Sequence, residues 1–207
     1  MGGIYEIDGV RPVIDASSFV HPDAVVIGDV VIGADCYIGA GATLRGDLGR
    51  IDVGAGSNIQ DNCVLHTFPE RRCTLESPSH VSHGSVLHGC VIRAYGFIGI
   101  GAIVMDDAVI GENAMVAAQA FVKAGFEVPS GMLVGGVPAV MLRELSETER
   151  SFARGGIHTY QQIAKRSLAT LRATEPLREI DPTRPRLAVA ASDSVALHER
   201  KRAQDTK

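Results

Sequence analysis

Seven histidines are present, and three of them share a local pattern. His66 closes the segment NIQDNCVLH, while His83 and His88 stand five apart in VSHGSVLHG. Three imidazoles with an open fourth position suit catalytic zinc, and imidazole also suits iron, cobalt and nickel. Each of the three follows closely on an aliphatic that the repeat described below turns inward, so all three are expected to project outward. An outer surface by itself can neither exclude water nor converge three ligands. The pattern therefore predicts a second wall from an adjacent subunit. Nearby stand Arg45-Gly46-Asp47 and Asn58-Ile59-Gln60-Asp61-Asn62. As a plain surface pair, Arg45 and the aspartates would be worth little; at a subunit seam they would hold the ligands in place. Gln60 carries donors and an acceptor without titrating, which fits it to orient an activated water. His21 and His80 read as solvated or structural, His158 and His198 as incidental, and Cys63 and Cys90 as packed thiols.

What must position these residues is a repeat. An aliphatic returns every sixth residue at Val20, Val26, Ile32, Ile38 and Leu44, and again at Ile92, Ile98, Val104, Ile110, Val116 and Val122. Four places after most of them sits a small or β-branched residue, as at Ala24, Val30, Cys36, Ala42, Ala102, Ala108, Ala114 and Ala120. A period of six fits neither an α-helix nor an alternating strand. It fits a left-handed parallel β-helix, in which each hexapeptide is a short strand plus a corner. Three units make a coil of ~18 residues, and stacked coils hydrogen-bond at ~4.8 Å. The expectation is about five coils over residues 14–124, after a lead-in strand in 1–13. Two irregularities interrupt the period: a polar excursion at 69–80, read as an external loop, and a shortened step between Leu87 and Ile92. Insertions in solenoids map to working faces, and the three histidines lie beside both.

After Val122 the pattern changes. Residues 125–145 are expected to cap the last coil, whose open edge would otherwise invite aggregation. Ser146 and Glu149 resemble a capping box that opens a helix over 146–175. Tyr160, Ile163, Ala164, Leu168 and Leu171 give it an apolar face. The segment 182–207 is charged, low in aromatics and expected to be mobile.

Composition sets bounds on function. The 207 residues hold 20 Lys plus Arg against 24 Asp plus Glu, a net charge of −4, with no basic stripe for nucleic acid. No apolar run approaches the ~20 residues of a membrane span. The first residues carry acids where an export signal needs an apolar stretch, and the cysteines lack CxxC spacing. A cytoplasmic protein with reduced thiols is expected.

From about Tyr5 to Leu145 the sequence resembles the γ-class carbonic anhydrase family of hexapeptide-repeat proteins, on RGD, NIQDN and the spacing of His66, His83 and His88. The resemblance implies a homotrimer with metals at its seams. His66 and His88 would come from one chain and His83 from its neighbour. Arg45, Asp47 and Asp61 match intersubunit ion-pair positions, and Asn58 and Gln60 match residues near the activated water. Two departures stand out: Leu48 and Pro69 occupy positions where the prototype has proton-transferring glutamates. The resemblance is closer to the phenylacetic acid degradation (PaaY-like) and carnitine-operon branch, through IYEIDGVRPV, RGDLGRI, NIQDNCVLHTFPE, LHGCVIR, VIGEN, LRELSE, HTYQQ and EPLREI. That branch implies a metal-dependent thioesterase acting on acyl-CoA in aromatic acid catabolism, with water activated on the metal as nucleophile. Tyr160 would reach the site from the helix and donate to the developing oxyanion, or else serve in packing. Carbonic anhydrase-type CO2 hydration, CoA-dependent acyl transfer and a non-catalytic trimeric scaffold are the alternatives.

Overall fold

The computed structural model describes residues 2–187, 196–199 and 202. The chain winds as a parallel β-solenoid of about seven turns with one C-terminal helix, the expected hexapeptide-repeat β-helix. Its prism has three faces. The first stacks Gly3–Tyr5, the leading halves of Val25–Ile32 and Thr43–Val53, then Val64–His66, Val86–His88, Ile103–Val104 and Phe121–Val122. The second stacks Val13–Ile14, the trailing halves of the same two long strands, then Arg72–Leu75, Val91–Ile92, Val109–Ile110 and Glu127–Val128. The third runs from Phe19–Val20 to Met132–Gly136.

Register explains the period. Leu44, Leu65, Leu87, Val104 and Val122 are cross-strand partners in one inward column on the first face. Ile38, Ile59, Val81, Ile98 and Val116 form another on the third, and all of these side chains are fully buried. Each aliphatic packs on its equivalents one coil above and below, so the core is a stack of layers. Between the strands the chain must turn sharply. At the corner entering the first face, Gly41, Asn62, Gly84, Gly101 and Gln119 stack, all with φ between 58° and 69°. Glycine adopts this left-handed conformation freely, and Asn tolerates it better than most residues.

The structure departs from the sequence reading in four places. The turns exceed five, because Gly3–Tyr5 already pairs with Val25–Ile27 and the ladder continues through Met132–Gly136. Residues 69–80 are not one external loop: Arg72–Leu75 is a strand of the second face, with Cys73 and Leu75 buried in the core. Only the stretch around Phe68 to Arg71 leaves the coil, and its polar residues disguise in the sequence an inward alternation that resumes at Cys73. Within 125–145 the coil continues, as Val128 and Val134 keep the six-residue step and are buried. The covering element proper is Ala139–Glu144, antiparallel to Met132–Gly136. The helix spans Glu147–Thr170, short of 175, with the expected Ser146–Glu149 capping box in place. The expected mobile segment 182–207 lies largely outside the described residues.

The helix runs back along the third face, touching the strands Phe19–Val20, Tyr37–Ile38, Asn58–Ile59 and His80–Val81. Ala153, Ile157 and Ala164 make its buried face, Tyr160 and Ile163 are partly covered, and Leu168 and Leu171 are exposed. No helix among the described residues is long and apolar enough to cross a membrane.

Candidate functional site

All departures from the six-residue step fall at one corner, where the chain leaves the first face for the second. Ile4 to Ile14 and Leu65 to Leu75 take ten residues, Leu44 to Val53 nine, and Leu87 to Ile92 five, where six is regular. This corner carries His66 and His88, partners on adjacent coils. His66 Nδ1 lies 3.2 Å from His88 Nε2. Behind each ring stands a carboxylate: Asp47 Oδ1 is 3.1 Å from His66 Nε2, and Asp106 Oδ1 is 2.7 Å from His88 Nδ1. Arg45 Nη1 donates to Asp47 Oδ2 at 2.7 Å, and Phe68 sets its ring edge-on to His88 at 4.7 Å.

Electrostatics follow from this geometry. Burial pushes the His66 pKa down, and Arg45 and His88 add to that, outweighing the opposite pull of Asp47. Burial tends to raise the Asp47 pKa, but hydrogen bonds from Arg45 and His66 and the Arg45 charge leave it below its ordinary value. The result is a neutral imidazole backed by an ionised carboxylate, the arrangement that fixes a histidine for metal ligation.

The opposite edge of the first face carries the other expected residues. His83 Nδ1 faces Asp61 Oδ2 at 3.1 Å, and both side chains are partly exposed. Asp61 Oδ1 also accepts from the Ala40 amide at 2.9 Å. Asn58 and Gln60 are buried here, with Gln60 Nε2 3.1 Å from Asn58 Oδ1 and 2.9 Å from His80 Nε2. His80 stacks on Phe97 with centroids 4.2 Å apart. Tyr160 packs over the cluster, 5.1 Å from Tyr37 and 5.7 Å from His80. Burial first, then Tyr37, Asp61 and Cys63, push the Tyr160 pKa up to about 12, so it stays a phenol.

One chain thus brings together His66, His88, Asp47 and Arg45, and separately Asn58, Gln60, Asp61, His83 and Tyr160. Among the described residues, no cluster of three or more His, Cys, Asp or Glu within the chain is arranged to hold a metal ion. Two imidazoles do fit one. Nitrogens bound at ~2.0–2.1 Å to a tetrahedral metal stand ~3.3 Å apart, close to the 3.2 Å seen here. Sequence reasoning missed Asp106, Phe68 and the embedding of His80 in the amide cluster. Asp106 was findable, since it lies one regular coil of 18 residues after His88. Thr67 is a further residue it missed: beside His66, its buried hydroxyl has no hydrogen-bond partner among the described residues.

Comparison with known proteins bears on this layout. Residues 11–46 match the model of the bacterial transferase hexapeptide (six repeats). The carnitine operon protein CaiE of Escherichia coli K12 is 44% identical over 183 residues, spanning 88% of this chain and 93% of CaiE. The chain belongs to the hexapeptide-repeat family that includes CaiE. The CaiE of Salmonella agona is 43% identical over the same share of the chain. Among solved structures, a hexapeptide transferase family protein from Anaplasma phagocytophilum superposes with a TM-score of 0.73 at 36% identity, covering 78% of this chain and 96% of the other. A candidate acetyltransferase from Bacillus cereus superposes with a TM-score of 0.79 at 32% identity, covering 80% and 96%. For this member of the CaiE family, the histidine-bearing edge falls largely beyond the 11–46 match, in the coils that break the repeat.

Proposed function

We propose that this chain is a metal-dependent hydrolase of acyl-CoA thioesters, assembled as a homotrimer. Zinc is the expected ion, with iron, cobalt and nickel as alternatives, and phenylacetyl-type thioesters are the expected substrates. The observation that carries the reading is the facing pair of His66 Nδ1 and His88 Nε2, each ring held from behind by a carboxylate. His83, one face away, would complete the ligand set from a neighbouring copy. The first face between the two edges supports this assembly. Its outward column is Thr43, Val64, Val86, Ile103 and Phe121, mostly apolar, with Val64 and Ile103 exposed. Covering such a stripe with a second copy removes apolar area from water at ~25 cal/mol per Å².

A divalent metal held there would supply Lewis acidity to activate water and polarise a carbonyl. Water then adds across the thioester: the acyl carbon gains the oxygen, the C–S bond breaks, and the proton ends on the CoA sulfur. Gln60 orients the water, and the Tyr160 phenol donates a hydrogen bond to the carbonyl oxygen as it gains charge. Leu48 and Pro69 offer no carboxylate for proton export, which favours thioester cleavage over rapid CO2 hydration. A thiolate needs little protonation to leave, so this reaction depends less on such a shuttle.

The likeness to solved transferases favours one other reading, acyl transfer from CoA to an acceptor. The deciding experiment measures metal content of the purified protein and turnover of a CoA-thioester panel, with and without chelator. Bound metal and chelator-sensitive release of free acid support the hydrolase. Turnover only with an added amine or alcohol acceptor, indifferent to chelator, supports transfer and sinks it.

A further inference from the structure

Asn58, Gln60 and His80 form a closed triangle of polar contacts on the third face. Gln60 Nε2 is 3.1 Å from Asn58 Oδ1 and 2.9 Å from His80 Nε2, and Asn58 Nδ2 is 3.2 Å from His80 Nδ1. The ring of His80 cannot turn away. It lies flat on Phe97, with planes 8° apart, and Tyr160 meets it edge-on. On the helix side stands Gly156, where a β-carbon would lie 3.4 Å from His80 Cε1. Between Phe97 and Tyr160, the ring of His80 is therefore wedged.

Burial holds the His80 pKa down at about 3, with the charge of His83 a lesser cause, so the ring is neutral at working pH. A neutral imidazole has one N–H and one lone pair. Amino groups of two amides cannot both donate to it, so one contact is a bond and the other is not. Gln60 makes the shorter contact and is gripped from a second side by Asn58. Both of its N–H bonds are then used inward, while its Oε1 makes no hydrogen bond among the described residues. That oxygen is the one polar group of the amide left to meet a ligand.

We propose that His80 is a positioning residue: its Nε2 lone pair takes one N–H of Gln60, Asn58 takes the other, and the amide is locked with Oε1 as the outward acceptor for the attacking water. This assignment rests on the thioesterase reading above. It predicts that the His80 ring carries its proton on Nδ1. A freely rotating Gln60 would present its amino group as often as its carbonyl, and the water would lose its orienting acceptor.

The test has two arms. In the wild-type protein, 15N spectra of labelled histidine report the tautomer of His80 whether or not the protein turns over thioesters. An unprotonated Nε2 is expected, and a protonated Nε2 overturns the proposal. In the second arm, His80→Phe keeps a ring on Phe97 but removes both nitrogens. With metal content and Tm near wild type, kcat should fall ~10²-fold and KM change less than ~3-fold, as expected when a transition-state contact is lost. Gln60→Ala should lose as much, and the double variant no more than either, because both act through one group. Losses that multiply in the double variant, or a His80→Phe enzyme at full kcat, overturn it. Absence of thioester turnover in the wild type would count against the hydrolase reading alone, and the tautomer would still judge the wedge. Should His80→Phe fail to fold, the tautomer likewise decides.

Discussion

The two edges of the first face solve the same problem, holding a polar side chain still, by opposite means. At the exit corner, His66 and His88 are partly open to solvent and held by the carboxylates of Asp47 and Asp106, with Arg45 paired to Asp47. At the entry corner, Asn58, Gln60 and His80 are buried under the helix and held by uncharged contacts and ring stacking. Carboxylates make imidazoles better ligands but require water nearby to share the cost of charge. Amides and a neutral ring tolerate full burial and give direction without charge. A site needing both a charged metal and an oriented neutral water draws on both kinds of edge, and one chain keeps them a face apart.

The largest effect should come from separating the edges genetically. His66→Ala and His83→Ala should each lower thioester turnover by about 10³-fold or more, as expected for loss of a metal-activated nucleophile. If the two residues meet only between chains, co-expressing the variants should yield mixed trimers with some complete sites and measurable recovery. No recovery would break the pairing of edges across a seam. Next in size, Asp106→Asn should weaken metal affinity ~10–100-fold, the usual cost of losing a ligand's outer hydrogen-bond partner. Titration of the apoprotein with zinc would check it, and an unchanged affinity would mean that Asp106 only packs.

Acid stability sharpens the contrast further. Unfolded chains take up a proton on His80 near pH 6.5, whereas the buried ring stays neutral down to about 3. Its contribution is therefore complete above about 6.5 and is lost as the pH falls toward 3. Urea denaturation of wild type at pH 7 and pH 4.5 should differ by ~2 kcal/mol more than it does in His80→Phe. Equal differences would remove His80 from the acid limb. The smallest effect is expected at Tyr160→Phe, about a ten-fold drop in kcat/KM for one lost donor of ~1.4 kcal/mol. Unchanged kcat/KM would leave Tyr160 as a packing residue of the helix.

Much of the fold was legible because the core repeats. Val26, Ile32, Ile38 and Leu44 announce three inward columns, and each later coil reuses them. The edges were harder to read. His66, His83 and His88 stood out by type and spacing, yet the stacking of His66 on His88 depends on a four-residue insertion that lengthens the coil between them to 22 residues. Cys73 and Leu75 were hidden for the same reason, since the polar PERR stretch masks the return of the inward alternation. Asp106 sits in an ordinary coil, where nothing but stacking under His88 marks it. The burial of Gln60 and His80 was not readable at all, because it is imposed by a helix more than 60 residues downstream in sequence.

That helix has a mechanical consequence. A solenoid is a nearest-neighbour stack, and such stacks can fray from an end one layer at a time. Here the last layers are bound by Ala139–Glu144, and the helix then spans the stack lengthwise. Arg154 bonds Asn113 near one end, Gln161 bonds the Gly56 carbonyl midway, and Lys165 lies 3.8 Å from Asp35 near the other. Peeling a terminal coil must first release this strap. Backbone amides of the coils at Leu65, Leu87 and Val104 should therefore exchange with solvent in a single concerted opening, rather than in a gradient along the axis.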